Sequence, residues 1–162
     1  MDHRWTIRVA SWLKWSLIVI TCLQAYVQAG VRQDEADDRE RLTTERFLQV
    51  LLRRPRPGTS LDRVYGFHVR NDSLDGLIEQ LKNPTDEDNR GSGMIVLGLI
   101  QLQRGRPAEA VNALIQAEEL LPEDAACSYY LGKAHLAVGA TEQAAAALER
   151  AIARGPARNE AL

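Results

Sequence analysis

The side chains that could serve as nucleophile and base are Cys127, His68 and His135. Cys127 and His135 lie eight residues apart on one predicted helix, so about 12 Å of helical rise separates them and they cannot touch. Nothing in the sequence brings His68 next to Cys127. We therefore interpret Cys127 as a packed cysteine and His135 as a side chain that fills space between helices, which predicts no nucleophilic catalysis.

The acidic run from Asp86 to Asp88 resembles the start of a calcium-binding loop. Such a loop needs a bidentate acid at its twelfth position, where this sequence has Leu97, and Arg90 occupies the fifth position. A solvated turn explains the acids. The sequence also lacks zinc-ligand spacing, a phosphate-binding glycine loop and paired catalytic carboxylates. We therefore expect no metal, no cofactor and a protein that is not an enzyme.

The charge of the chain gives no reason to expect nucleic acid as a partner. The net charge is −2 and the isoelectric point is about 5.9, so no broad positive field attracts phosphates. The basic cluster Arg53, Arg54 and Arg56 is interrupted by Pro55 and Pro57. We interpret it as a helix end whose cations complement the helix dipole.

Residues 1–29 have the pattern of a signal peptide. Basic residues precede a short apolar run over residues 15–23, and small or permissive residues allow cleavage after Ala29. The protein is therefore expected to be exported, to the periplasm or the extracellular space. The alternative is a membrane anchor formed by residues 9–28. Cleavage would leave Cys127 as the one cysteine, so stability would come from packing without an internal disulfide.

The residues that follow predict a polar linker and then short amphipathic helices. Residues 30–42 are polar and acidic and are predicted to be a solvated linker. Residues 43–54 have apolar side chains at helical spacing, and prolines stop this helix. A second helix is predicted to begin near Ser60, and a third after the cluster Asn71-Asp72-Ser73, whose side chains favour helix N-caps.

The C-terminal half of the chain repeats itself at one fixed spacing. The period matches a helix–turn–helix solenoid unit, which is about 34 residues long. The coincident pairs are Leu97/Leu131, Gly98/Gly132, Gly105/Gly139, Ala110/Ala144, Leu114/Leu148, Ala117/Ala151 and Pro122/Pro156.

The small residues predict close contact between the two helices of each unit. Gly98 and Gly132 are expected where the first helix crosses the second so closely that no side chain fits. Ala110 and Ala144 are expected opposite them on the second helix. The leucines of the pattern would fill the remaining space between the helices.

The turn residues predict where each helix begins and ends. Gly105 and Gly139 suit the left-handed turn after the first helix of each unit. Pro107 suits the first position of the following helix, which needs no amide hydrogen. Thr141 is the predicted N-cap of the second helix of the second unit, and Pro122 prevents the preceding helix from continuing.

Residues 91–124 and 125–158 resemble the tetratricopeptide repeat family in these small-residue and proline positions. Met94 and Ser128 replace the first aromatic residue of the family motif, a position that varies widely. The resemblance implies an all-α fold, an α-solenoid of helix–turn–helix repeats. Each repeat needs neighbours to bury its surface.

The rest of the chain is interpreted around these two units. Residues 43–90 are expected to form an N-terminal helical cap that stacks on the first unit, with 59–90 as a degenerate repeat. Residues 159–162 would be a C-terminal stub. The second unit would then lack a capping helix, which leaves open either a partner at this end or a longer protein.

The resemblance also implies a binding groove on the concave side, lined by the first helix of each unit. It suits an extended peptide or an amphipathic helix with apolar anchors. Ile95 and Leu99 stand where family members that grip a C-terminal carboxylate have lysine and asparagine, so that clamp is not expected. The alternative is that Leu99 and Leu102 pack against the N-terminal helices. The groove positions carried over are Ser92, Ile95, Leu99, Leu102, Ala126, Tyr129, Lys133 and Leu136.

The sequence therefore predicts a non-catalytic scaffold that binds a protein or peptide partner. The alternative is a structural module that self-associates, or part of a larger repeat assembly. Neither reading involves nucleic acid, and contact with a membrane would come only through an uncleaved N-terminal segment.

Overall fold

A computed structural model of the chain describes residues 37–155, and every regular element in this range is helical. This confirms the predicted all-α fold. The predictions for residues 1–29 and 159–162 lie outside the described residues. The chain divides into two units at Leu42; residues 37–42 are the described part of the first, and they are helical and exposed.

The described part of the second unit consists of seven α-helices and one short 3-10 turn. Helices α1 to α3 come first and are followed by two helix pairs. Within each pair, a three-residue turn joins the two helices. The elements are α1 (residues 43–53), α2 (Thr59–Arg70), α3 (Leu74–Lys82), the 3-10 turn (Glu87–Asn89), α4 (Arg90–Gln103), α5 (Pro107–Leu120), α6 (Ala125–Ala137) and α7 (Thr141–Ala153).

The helices α4 to α7 form the two predicted repeats. α4 packs along α5, α6 packs along α7, and α5 packs against α6 so that the two pairs stack. The turn glycines Gly105 and Gly139 have φ angles of +70° and +80°, as predicted for left-handed turns. Because three-residue turns join helices that pack along their length, each pair is antiparallel.

The glycines at the helix crossings leave no room for a side chain. A Cβ atom on Gly98 would lie 2.5 Å from Leu114 Cγ, and one on Gly132 would lie 2.7 Å from Leu148 Cγ. The close approach was predicted, but the side chains that face the glycines are these leucines. The predicted partner Ala144 contributes its carbonyl oxygen, 3.3 Å from the added Cβ at Gly132.

The N-terminal helices share the core of the repeats, which confirms the predicted cap. α3 packs on α4, where a Cβ on Gly93 would meet the carbonyl oxygen of Leu81 at 3.0 Å. One continuous apolar cluster joins Leu51 of α1 and Val64 of α2 to the helices of both repeats. The solenoid therefore gains buried surface from residues outside the repeat pattern.

Three local predictions were wrong in detail. Residues 37–42 were predicted as linker but are helical, since Arg, Glu and Leu are good helix formers and Arg41 pairs with Asp38 at 3.3 Å. Thr141 is the first residue of α7, and its N-cap is Ala140, which has no capping side chain. Ser73 is at the N-cap of α3, but its hydroxyl pairs with His68 Nδ1 at 2.8 Å and does not cap.

Candidate partner-binding surface

The first half of the predicted groove lies inside the protein. Ile95 and Leu99 on α4 are 1% and 4% exposed, and both belong to the continuous core. Ser92 and Leu102 are partly buried. A partner therefore cannot reach Ile95 or Leu99 while the helices keep this arrangement.

Helix α4 is enclosed by the chain's own N-terminal helices as well as by the repeats. It packs against α3, α5 and α6, and Gln103 at its end donates a hydrogen bond of 3.1 Å to Asp62 Oδ1 of α2. Gly91 and all residues from 93 to 101 are buried. The environment of Leu99 thus fits the alternative in which it packs within the cap.

The second half of the groove remains partly open. Ala126 is buried and Tyr129 is half-buried, whereas Lys133 is exposed and Leu136 is 53% exposed. Tyr129, Lys133 and Leu136 follow one another at helical spacing on one face of α6. We call these three residues the α6 strip.

Two aromatic contacts hold the α6 strip in place. The Lys133 ammonium lies 5.4 Å from the centre of the Tyr129 ring, a cation–π distance. Tyr129 in turn meets the ring of the buried Tyr130 edge to face, with centroids 5.4 Å apart. The strip thus presents a cation beside an aromatic ring and an exposed leucine.

A polar network at the junction of α5, α6 and α7 fixes the orientation of α6. The Glu118 carboxylate accepts hydrogen bonds from Ser128 Oγ at 2.7 Å, Arg150 Nε at 3.0 Å, Arg150 Nη2 at 2.9 Å and Arg154 Nη1 at 2.8 Å. Arg154 also contacts Ser128 Oγ. One carboxylate therefore ties together three helices from two repeats.

The electrostatics of this network favour its charged form. Burial raises the pKa of Glu118, but the hydrogen bonds from Arg150, Ser128 and Arg154 outweigh it and lower the pKa to about 2. The same carboxylate raises the pKa of Arg150 through its hydrogen bond. The ion pairs are therefore complete at neutral pH, with the Glu118 side chain only 19% exposed.

The sequence pattern did not predict this network, because Glu118 and Ser128 do not recur at the equivalent positions of the other repeat. Ile152 occupies the position equivalent to Glu118 in the next repeat, and Met94 occupies the position equivalent to Ser128 in the preceding one. The available signal was a serine at a position where the family motif has an aromatic residue. That serine is fully buried at 0% exposure, and a buried hydroxyl requires a partner.

The structure gives Cys127 a structural role. Its thiol donates to the carbonyl oxygen of Leu114 across 3.6 Å, and the residue is fully buried. Burial, with the nearby charges of Glu118 and Asp124, raises the pKa of the thiol to about 12. The thiolate required of a nucleophile is thus strongly disfavoured at neutral pH.

Within residues 37–155, neither histidine forms a hydrogen bond with that thiol. His68 pairs with Ser73 at 2.8 Å, and its burial lowers its pKa. His135 is partly buried, and within residues 37–155 its Nδ1 atom has no hydrogen-bond partner. Gln101, its counterpart in the preceding repeat, likewise has a buried side-chain oxygen without a partner in that range.

The acidic segment before α4 forms a turn stabilised by its own side chains. Asp86 accepts hydrogen bonds from the Asp88 amide at 3.2 Å and from Asn89 Nδ2 at 2.8 Å. The described residues contain no group of three or more side chains suited to hold a metal ion. Among the helices of residues 37–155, none is long and apolar enough to cross a membrane.

Comparison with known proteins identifies the repeats. A family model described as tetratricopeptide repeat matches residues 95–159, which cover most of α4 and all of α5 to α7. Repeats of this family are generally non-catalytic modules for protein–protein interaction. No curated protein and no solved structure matches the chain.

Proposed function

From the premise that this chain is a tetratricopeptide repeat protein, we propose that it binds a protein partner through the α6 strip. The proposal rests on the different solvent exposure of the two halves of the groove. Its first half is occupied by the chain's own core, while Lys133 and Leu136 in the second half remain exposed. The accessible part of the groove is thus narrow and lies on one helix.

The chemistry of the strip indicates what a partner would offer. Leu136 and the half-buried Tyr129 suit an apolar side chain, and the Lys133 ammonium suits a carboxylate. An extended peptide or an amphipathic helix with an apolar residue next to an acidic one has this pattern. The rigid core behind the strip reduces the entropy lost on binding, which favours affinity from a small contact area.

Site-specific photo-crosslinking in cells tests the proposal. A photoreactive residue at position 136 is expected to capture one protein, whereas the same residue at the comparably exposed Leu120 on α5, which is 44% exposed, is not. Lys133→Glu should abolish the capture at position 136. Lys82→Glu, which reverses an exposed lysine on α3, should leave it unchanged.

Equal capture at positions 136 and 120 would contradict the proposal, and so would capture at position 136 that is insensitive to Lys133→Glu. A captured protein that proves to be a second copy of this chain would replace the proposal by self-association.

Self-association is the second candidate function, and one observation favours it. Glu118 packs onto the next helix pair, but Ile152, its counterpart in the second repeat, is 79% exposed. The C-terminal face of the described solenoid is thus open. Light scattering should give a dimer that Ile152→Glu converts to a monomer; a monomer at high concentration would remove this candidate.

We also propose that the protein is exported, with residues 1–29 as the signal. The support is the pattern of basic residues, a short apolar run and Ala29 at the cleavage position. Mass spectrometry of the protein from cell fractions should find a chain beginning at Gly30. An intact N-terminus in the membrane fraction would instead support the anchor, and an intact chain in the cytosol would exclude export.

A further inference from the structure

A pocket of about 360 Å³ lies in the second unit, lined by residues other than those of the α6 strip. It opens between the end of α1 and the start of α2, and the buried Tyr130 of α6 closes one side. Its lining residues are Val50, Leu51, Arg54, Arg56, Pro57, Gly58, Thr59, Ser60 and Tyr130.

The charged residues that line this pocket are all of one sign. Two of its lining residues, Arg54 and Arg56, are arginines, and none is an aspartate or glutamate. Neither arginine makes an ion pair within the described part of the chain. Asp62, the acidic residue of α2, lies outside the pocket lining and accepts a hydrogen bond from Gln103. The pocket thus has two guanidinium groups available for an anion.

The connection that carries the arginines is stiff. Pro55 is buried, and Pro57 follows Arg56 directly, so the backbone on either side of Arg56 has little freedom. Gly58 has a φ angle of +131° and leads the chain into α2. A stiff support lowers the entropy lost when a guanidinium pairs with a ligand.

The rest of the lining offers hydroxyls and an apolar wall. Thr59 and Ser60, whose side chains carry hydroxyl groups, also line the pocket, together with the apolar residues Val50, Leu51 and Pro57. A volume of about 360 Å³ falls at the small end of the range of roughly 300–1,000 Å³ found for small-molecule sites. It therefore exceeds the needs of a bare oxyanion and leaves room for an attached apolar group.

We propose that this pocket binds an anionic group, a carboxylate or a phosphate, carried on a small apolar body. Arginine pairs with either oxyanion through two parallel hydrogen bonds. The apolar wall would hold the attached group, and the hydroxyls would hold the remaining oxygen. This site shares no residue with the α6 strip, although Tyr130 contacts Tyr129 of the strip, and it does not depend on the proposed partner.

The test is to titrate small probe molecules into the full chain and to monitor binding by amide chemical shifts and by calorimetry. The probes are phenyl phosphate, N-acetyl-leucine, the neutral N-acetyl-leucine amide and inorganic phosphate. Saturable shifts at Thr59 and Ser60 are expected with at least one of the two charged organic probes and not with the neutral amide. The charged probe that binds more tightly identifies the preferred oxyanion, and added salt should lower its affinity.

The arginine variants distinguish specific binding in the pocket from general electrostatic attraction by the basic residues at the end of α1. Arg54→Gln and Arg56→Gln should each weaken binding about tenfold, the loss of one charge-assisted pair. Arg53→Gln is the matched control, because Arg53 is the last residue of α1 and directly precedes Arg54 but does not line the pocket. It should bind as tightly as the parent chain.

Three results would overturn the inference. One is the absence of a saturable shift with both charged organic probes. Another is an equal loss of affinity in Arg53→Gln, which would mean that the arginines act only as a diffuse field at the end of α1. The third is binding of inorganic phosphate as tight as that of the tighter organic probe, which would leave the apolar wall without a role. Circular dichroism of each variant confirms that the fold is intact.

Discussion

The helices α4 and α6 occupy equivalent places in successive repeats, yet one is core and the other is partly surface. Leu99 on α4 is 4% exposed, and its counterpart Lys133 on α6 is exposed. Leu102 is partly buried, while its counterpart Leu136 is 53% exposed. The repeat pattern thus determines how two helices pair, whereas the neighbouring helices determine which groove positions a partner can reach.

The cause of the difference lies upstream of the repeats. α4 has α3 on one side and the second repeat on the other, so its groove face is shared with the N-terminal cap. The cap residues Leu51 and Leu61 belong to the same core as the groove residues of α4. A cap that stabilises a short solenoid therefore also closes part of its binding surface.

The largest expected effect comes from truncating equivalent groove positions. Leu99→Ala should lower the free energy of unfolding by about 3 kcal/mol, because it leaves a cavity in a packed core. Leu136→Ala should change it by less than about 0.5 kcal/mol, because the side chain is exposed. Chemical denaturation measures both. Similar costs for the two variants would show that the two helices do not differ as described.

A second comparison uses the two crossing glycines. Gly98→Ala places a methyl group 2.5 Å from Cγ of the fully buried Leu114, so a net loss of about 2 kcal/mol is expected after the gain in helix propensity. Gly132→Ala meets Leu148, which is only partly buried and can shift. Its cost should be about 1 kcal/mol or less. A larger cost at position 132 than at position 98 would contradict the expectation that Leu148 shifts more easily than Leu114.

The Glu118 network provides a third test of the junction between the two repeats. Glu118→Gln leaves Arg150 and Arg154 without their carboxylate and should cost about 2 kcal/mol, measured by chemical denaturation at pH 7. Glu142→Gln, on the exposed start of α7, is the matched control and should cost less than about 0.5 kcal/mol. Equal costs would mean that the network adds nothing to the stacking of the repeats.

The same network predicts a smaller effect of pH. The pKa of Glu118 is about 2 in the folded chain against an ordinary value of 4.5. Because the folded value is the lower one, the network's stabilisation is complete above pH 4.5 and is lost as the pH falls toward 2. Melting curves of the parent chain and Glu118→Gln should therefore converge between pH 4.5 and 2. A constant difference across this range would contradict the assignment.

The repeat architecture could be predicted from sequence because its signals are local and periodic. Gly98, Gly105 and Pro107 each act within one helix pair, and the two glycines recur at the equivalent positions of the next pair, where Thr141 takes the place of the proline. Thr141 shows the limit of this reasoning. Threonine is favoured at the N-cap, but Thr141 is the first residue of α7, just as Pro107 is the first residue of α5.

The exposure of the groove and the polar network could not be predicted in the same way. Whether Leu99 or Leu136 is reachable depends on where the non-repeating helices pack, and apolar periodicity does not encode that. Glu118 meets residues 10, 32 and 36 positions away, at spacings that no single helix brings together. The pocket beside Arg54 depends on a proline-stiffened connection whose path is set by the tertiary fold.

The most direct test of the account is the accessibility of the two halves of the groove to a thiol reagent. Leu99→Cys and Leu136→Cys are made in a Cys22→Ser chain, with the buried Cys127 as an internal reference. The thiol at position 136 should react at the rate of a free peptide. The thiol at position 99 should react slower by on the order of 100-fold, because labelling requires the cap to open. Equal rates at the two positions would show that the N-terminal helices do not close the first half of the groove.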